Sequence, residues 1–384
     1  MEVLEKFHAA IVNRHQYAQE WREKTGGKVF GYLCSYCPEE ILYAADILPV
    51  RIIGSHEPTY ITDTHVSSKT CCFGRDILAE GLLGRYDYLD GIVLTHSCQQ
   101  ILLMFNSWRL HVSTPFKYLV YFPTLVKATG AKTVITSSLK TFVTALEKWL
   151  GKPISIEKLD KAIKLYNTNR LLLRKLYELR KAETPPISGA ETFEVTLAGL
   201  FMDKKDHNKL LRQLLKELPL RKVEENTGKR IMVVGSEQDD VELIKVIETA
   251  GATVVIDDLC TGSRNIWTEV KPKEDRYEAI ANRMIERPPC VAKDAPERRR
   301  TNHILQLARD YRVDGVITLE RKFCESQQWD NPTLVTAIAR QGTPSLRLET
   351  DIINPVGPLR TRIEAFMETL DYDLGTPDSD GDEE

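Results

Sequence analysis

A chain of 384 residues with 42% hydrophobic and 28% charged residues is too long for one small core and suits about two folded domains. No apolar stretch is long enough to span a bilayer, and the opening MEVLEKFHAAIVNRHQ lacks the apolar run of a secretory signal, so the expectation is a cytoplasmic protein with no membrane association. The formal net charge of −3 conceals seven carboxylates and no Lys or Arg in 371–384; the remainder is mildly basic, too weakly so for a nucleic-acid surface.

Residues 1–24 read as one amphipathic helix, with Leu4, Phe7, Ile11, Tyr17 and Trp21 as its buried face and Gly26 and Gly27 ending it. KVFGYLC is a short strand ending at Cys34. CPEEILYAADIL has helical spacing, with Pro38 just inside the first turn. PVRIIG is a second strand, 69–83 a helix, DGIVLTH at 91–97 a buried strand, 99–109 a helix and FKYLVYFP a fourth strand.

After residue 150 the strands stop. Ser155 can cap a long helix, TPPISG breaks it, and two shorter helical runs reach Pro219. From KRIMVVG the strand–helix alternation resumes, with ATVVIDDLC, DGVITLERKFC and TPSLRLETD as further strands and a last helix at 358–370. The pattern predicts an α/β fold of two doubly wound parallel-sheet domains, flavodoxin- or Rossmann-like, joined by a helical connector. The expected divisions are 1–150, with a leading helix; 151–228, the connector; 229–370; and an acidic, disordered tail at 371–384. DGIVLTHSC and DGVITLERKFC share an Asp-Gly start, a β-rich core and a cysteine just past the strand, which suggests a duplicated unit.

Eight cysteines in a reducing compartment are buried hydrophobes, reactive thiols or metal ligands rather than disulfides. Cys34, Cys98, Cys260 and Cys324 fall at or just beyond strand ends, where parallel sheets bind ligands. Cys34 and Cys37 form a lone C-x-x-C, readable as a redox pair or half of a zinc site, and no second C-x-x-C completes a zinc ribbon. Cys290 is a loop cysteine without an evident partner. Cys71, Cys98 and Cys324 are three, far apart in sequence and each at an element end. Three thiolates suit an iron–sulfur cube with one iron left open, whereas structural zinc wants a fourth ligand, with only His96 or His65 on offer.

GYLCSYCPEEILYAADILPVRIIG, CCFGRDIL, YDYLDGIVLTHSC, GATVVIDDLCTGSR and DGVITLERKFCESQQW, in this order, resemble the benzoyl-CoA reductase / 2-hydroxyacyl-CoA dehydratase family of cluster-bearing subunits. The nearest likeness is to the C (gamma) subunits of ATP-dependent class I benzoyl-CoA reductases. The resemblance implies a [4Fe-4S] cluster held by Cys71, in the Cys-x-aromatic-x-Arg pattern of CCFGR, with Cys98 and Cys324. Cys72 lies one residue off that pattern and leaves the first ligand open between the two. It implies ATP-dependent, ferredoxin-linked dearomatisation of benzoyl-CoA to cyclohexa-1,5-diene-1-carbonyl-CoA, in a heterotetramer with a paralogous cluster-bearing subunit and ATP-hydrolysing activator subunits. The chain carries no phosphate-binding Gly-rich loop of its own, in keeping with ATP bound elsewhere. Alternatives are a 2-hydroxyacyl-CoA dehydratase subunit, or an electron relay that never touches substrate.

His96 and Glu39 are candidate proton donors; read plainly, one is a hydrogen-bonded core histidine and the other a first-turn carboxylate favoured by the helix dipole. Ser35 resembles a position lining the family's acyl-CoA site. Arg75 and Arg264 are candidate partners for CoA phosphates, or else form ordinary salt bridges.

Overall fold

The structure, a computed structural model, describes residues 1–222 and 228–371. The acidic run expected to be disordered lies, beyond Asp371, outside the described residues. The expected single leading helix is two, α1 (Glu2–Val12) and α2 (Arg14–Thr25), divided at Asn13. The division follows from two different partners. Val3, Leu4, Phe7 and Ala10 of α1 join the core beside the second sheet. On α2, Tyr17 and Trp21 are only partly buried and instead donate hydrogen bonds to Asp206 and Asp203, each at 2.9 Å.

The first α/β unit runs β1 (Lys28–Tyr32), α3 (Glu39–Ala44), β2 (Ile47–Arg51), α4 (Cys72–Leu82), β3 (Gly91–Thr95), α5 (Gln99–His111) and β4 (Phe116–Val120). Its four strands are parallel, in the order β2-β1-β3-β4. Helix α3 is six residues long, and Pro38 is its N-cap rather than a residue of its first turn. Four helices follow: α6 (Ala131–Leu150), α7 (Ile156–Glu178), α8 (Gly189–Ala198) and α9 (Lys204–Glu217). The Ser155 hydroxyl accepts from Lys158 N to cap α7, and Ser188 with Glu191 forms a reciprocal capping box on α8.

The second unit runs β5 (Lys229–Gly235), α10 (Val241–Thr249), β6 (Ala252–Asp258), α11 (Arg276–Glu286), α12 (Arg299–Asp310), β7 (Gly315–Arg321), α13 (Glu325–Ala339), β8 (Ser345–Thr350) and α14 (Val356–Asp371). Its strands are also all parallel, in the order β6-β5-β7-β8. The protein is therefore an α/β fold with two doubly wound parallel sheets of the same strand order. In each, the order reverses between the first and third strands, which places switch points at β1/β3 and β5/β7. Packing does not follow chain order. Ala279, Ile280 and Met284 of α11 belong to the core of the first sheet.

The C-terminal ends of the two sheets face each other. Arg51, the last residue of β2, is ion-paired to Glu237, just after β5. Gly54 N donates to Asp239 Oδ2 at 3.1 Å, and Cys72 N to Lys322 O at 3.2 Å. Gly54 sits where the chain has no room: a Cβ there would lie 1.8 Å from Asp76 Oδ2. Asp76 cannot easily swing aside, because its carboxylate accepts from Ser55 N and His56 N, each at 3.2 Å. Gly54→Ala is expected to cost about 1–3 kcal/mol of folding stability, the usual penalty of overpacking. Urea unfolding of the native chain and the variant measures it; equal midpoints would refute the close approach.

Candidate functional site

Cys71, Cys98 and Cys324 occupy one local position three times: each is the N-cap of a helix, of α4, α5 and α13 respectively. Parallel strands deliver the chain to helix N-termini at the C-terminal edge of a sheet, so the facing edges gather these starts. One side chain ties the three together. Gln100 Oε1 accepts from Cys71 N at 3.1 Å, and Gln100 Nε2 donates to Glu325 Oε1 at 3.0 Å. Phe323, just before Cys324, has a φ of 61°, a left-handed conformation that costs a residue with a side chain about 1–3 kcal/mol. Such strain persists where the surrounding structure demands a particular chain direction, here in the tight turn from β7 into α13.

The thiols interact. Cys71 is hydrogen-bonded to the sulfurs of Cys324 and Cys72, in that order of effect, and its own pKa is pushed well above the ordinary thiol range. The same contact draws Cys324 down to about 7 and lowers Cys72. Cys324 Sγ is also 3.9 Å from Ser236 Oγ, at the β5/β7 switch point. Cys72 donates to Thr350 O at 3.7 Å, at the end of β8. Cys98 stands outside the thiol hydrogen bonds. Burial pushes it up to about 12, and the charges of Cys324 and Cys34 add to that. Among the described residues, no group of three or more His, Cys, Asp or Glu side chains is spaced to hold a metal ion.

Cys34 lies across β1/β3 from Cys98. The neighbouring Ser35 carbonyl accepts from Arg287 Nη1 at 2.7 Å, and Arg287 lies over the Tyr36 ring, 4.6 Å from its centre. Tyr36 OH accepts from Cys290 N at 3.1 Å. Cys290 is not partnerless: its thiol is hydrogen-bonded to Cys260, which lowers its pKa. Lys293, 1% exposed, donates through Nζ to Phe122 O at 3.2 Å, and burial lowers its pKa. His96 Nδ1 lies 3.3 Å from the same carbonyl. A carbonyl only accepts, so Nδ1 carries the hydrogen. His96 Nε2, buried without a partner, then bears the lone pair in the neutral ring. Burial first, and Lys293 second, lower the His96 pKa and keep that ring neutral. As it stands, His96 can take a proton at Nε2; it gives one only after being protonated.

The remaining candidates are engaged elsewhere. Glu39 Oε1 accepts from Tyr32 OH at 3.3 Å and lies 3.7 Å from Lys204 Nζ, on the side of α9. Arg75 pairs with Asp63 at 2.8 Å. Arg264 is buried, and its donors are spent on Asp258, Gly235 O and, at 2.8 Å, Cys260 Sγ. It holds the loop of Cys260 in place, and each of its three nitrogens already has a partner within the chain. The residues that sequence reasoning passed over are Arg51, Arg287, Lys293 and Arg321. Arg51 and Arg321 each end an apolar strand, in LPVR and TLER. A charge closing a buried strand was the available signal.

Residues 34–370 match the family model described as 2-hydroxyglutaryl-CoA dehydratase, D-component. The chain belongs to that family. It is 29% identical to the (R)-phenyllactyl-CoA dehydratase beta subunit of Clostridium sporogenes over 365 residues, covering 95% of this chain and 97% of that one. It is 26% identical to a benzoyl-CoA reductase subunit from Thauera aromatica, covering 92% and 94%. It is 24% identical to the (R)-2-hydroxyglutaryl-CoA dehydratase beta subunit of Acidaminococcus fermentans, covering 90% and 93%. These family relatives are named as subunits of dehydratases and reductases of acyl-CoA thioesters. No helix of the described residues is long and apolar enough to cross a membrane.

Behind the thiols, Asp76 of α4 faces Asp239 through His56, whose Nδ1 is 3.8 Å from Asp76 Oδ2 and whose Nε2 is 3.5 Å from Asp239 Oδ1. Burial, then the Asp239 charge, raises Asp76 to about 6. An acid raised in the folded state holds its proton there after the unfolded chain has lost it. Its contribution to stability is therefore present at low pH and falls as pH rises from about 4 to about 6. Over that window, the stability of the native chain relative to Asp76→Asn should decline. Denaturant titrations at stepped pH check this, and a difference that does not change with pH would contradict it.

Proposed function

We propose that this chain is an iron–sulfur subunit of a complex that delivers single electrons to an acyl-CoA thioester, with Cys71, Cys98 and Cys324 holding a [4Fe-4S] cluster. The observation that carries the reading is the convergence of three cysteine N-caps where the C-terminal ends of the two sheets face each other. A cube takes each thiolate on a different iron, so its ligands stand further apart than those of a single ion. The orphaned N–H groups beside the thiols suit an occupant rich in sulfur acceptors. When bound, the cluster supplies a low-potential electron and an open coordination position.

The chain's own residues then do three things. The helix N-termini at Cys71, Cys98 and Cys324 offset the negative charge of their thiolates. Tyr36 and Phe122, both buried with ring centres 4.7 Å apart, keep water from the Cys34–Cys98 side of the cleft. His96 Nε2 takes a proton from substrate, or gives one back once charged. Ser35, held by Arg287, lines the acyl end of the cleft. A paralogous cluster-bearing subunit, ATP-hydrolysing activator subunits and a ferredoxin complete the electron path.

Two substrates divide the reading. The order of the residue motifs supports benzoyl-CoA, reduced to cyclohexa-1,5-diene-1-carbonyl-CoA. A neutral His96 presenting a base at Nε2, together with the likeness to the phenyllactyl-CoA dehydratase beta subunit, supports removal of water from a 2-hydroxyacyl-CoA, a reaction that needs a proton abstracted. The complex, co-produced with its partner subunits without oxygen, is assayed with both thioesters. Loss of benzoyl absorbance supports the first and enoyl-CoA formation the second; neither product, with the cluster present, leaves the electron-relay role.

Single Cys→Ser variants test the ligand set by iron content and low-temperature EPR of the reduced complex. Cys98→Ser and Cys324→Ser are expected to lose the cluster signal. Loss in Cys71→Ser with retention in Cys72→Ser assigns the first ligand to Cys71, and the reverse moves it one residue on. Retention in all four variants would return these thiols to the core.

A further inference from the structure

Two buried arginines beside the thiols have more donors than partners. Arg51 closes β2 and Arg321 closes β7, and each is 1% exposed. Their guanidinium carbons lie 6.0 and 5.7 Å from the ring centre of Phe73, two residues beyond Cys71. Arg321 O accepts from Cys324 N at 2.9 Å, so this arginine sits one tight turn from the third cysteine. Arg51 is paired with Glu237, the residue after Ser236, whose hydroxyl is 3.9 Å from Cys324 Sγ. Arg321 thus borders Cys71 and Cys72, and Arg51 stands on the Cys34 side of the same space.

Their bonding is incomplete. Arg51 Nη2 is used on Glu237. Arg321 donates through Nη2 to Asp239 Oδ1 at 2.5 Å and through Nε to Glu237 O at 2.9 Å. Arg51 Nε and Nη1 and Arg321 Nη1 are buried with no acceptor among the described residues. A buried donor left unmade costs about 1–3 kcal/mol, more when charged, and native proteins rarely tolerate three around one ring. The economical explanation is an acceptor that the polypeptide itself does not provide.

We propose that Arg51 and Arg321 are positioning residues for the group held by Cys71, Cys98 and Cys324, donating their unspent N–H groups to its sulfur atoms and so raising its affinity for an electron. The inference rests on the cluster reading above. Hydrogen bonds to sulfur favour the more negative, reduced state, so they move the potential upward. Burial alone would drive it down; the arginines set how far.

The test uses the anaerobically purified complex carrying Arg51→Lys or Arg321→Lys. Lysine keeps the charge and the ion pair with Glu237 or Asp239 but lacks the planar fork of donors. Each variant is expected to lower the equilibrium constant for one-electron reduction roughly tenfold, the worth of one hydrogen bond to a charged group. That is a shift of about 59 mV downward in an EPR-monitored redox titration. Proton hyperfine couplings that vanish in deuterium oxide should weaken in the same variants. Absence of any cluster in the unaltered complex would overturn the cluster reading itself. A cluster present in the variants, with unchanged midpoint and couplings in both, would overturn the role of the arginines alone. Failure of both variants to retain iron, with circular dichroism unchanged, would support it, because the donors are then needed to hold the group. Arg276→Gln, which removes a partly exposed arginine paired to Asp160, is the control and should leave the midpoint in place.

Discussion

The ion pair between Arg51 and Glu237 is the contact on which the arrangement of the two sheets turns. It joins the last residue of a strand in one sheet to the first turn after a strand in the other, and it does so with Arg51 almost wholly out of water. Asp239, two residues on, extends the same seam by accepting from both Gly54 N and Arg321. Breaking a buried pair from one side costs about 3–5 kcal/mol, because the remaining charge is left in a poor solvent. The seam therefore holds the facing sheet ends at one separation, and the space between them is the site.

That space inherits its chemistry from topology. A parallel strand leads at its C-terminal end into a helix, whose first N–H groups have no partner in the chain. Two sheets of the same strand order, set end to end, collect several such helix starts in one place. Cysteine at the cap position then places sulfur where the positive ends of helices already point. Cys98 after β3 and Cys324 after β7 are equivalent positions in the two units. Cys71 is not equivalent to either, since it precedes α4 at the end of the long passage from β2.

The helices between the sheets act on the site through α3. Arg170 of α7 is paired to Glu40, Lys204 at the start of α9 lies by Glu39, and Tyr43 OH donates to Asp203 Oδ1 at 2.8 Å. All three partners lie on or beside α3, the short helix that follows the Cys34–Cys37 turn. A six-residue helix has little stability of its own, so its position depends on these contacts. Helix α11 adds a second clamp, crossing from the later unit to pack on α6 in the first core.

Much of this was legible in the residues themselves. Apolar runs bounded by Asp-Gly or Gly announce strands, their alternation with helical spacing implies parallel sheets, and cysteines just past strand ends mark a switch point. Those signals are local, carried by period and by single turn residues. Pairing is not local. No spacing rule says that Arg264 would engage all three nitrogens on Asp258, Gly235 O and Cys260 while Arg51 and Arg321 kept some unspent, or that Glu39 would face α9 rather than Cys71, Cys98 and Cys324. Nor could the doublet Cys71–Cys72 be divided by sequence, since one step along a helix turns a side chain by about 100°. Sequence by itself determined which elements form and which residues stand at their ends. Only the tertiary structure decided which of those ends meet, because burial and hydrogen-bond satisfaction depend on neighbours that the chain brings from hundreds of residues away.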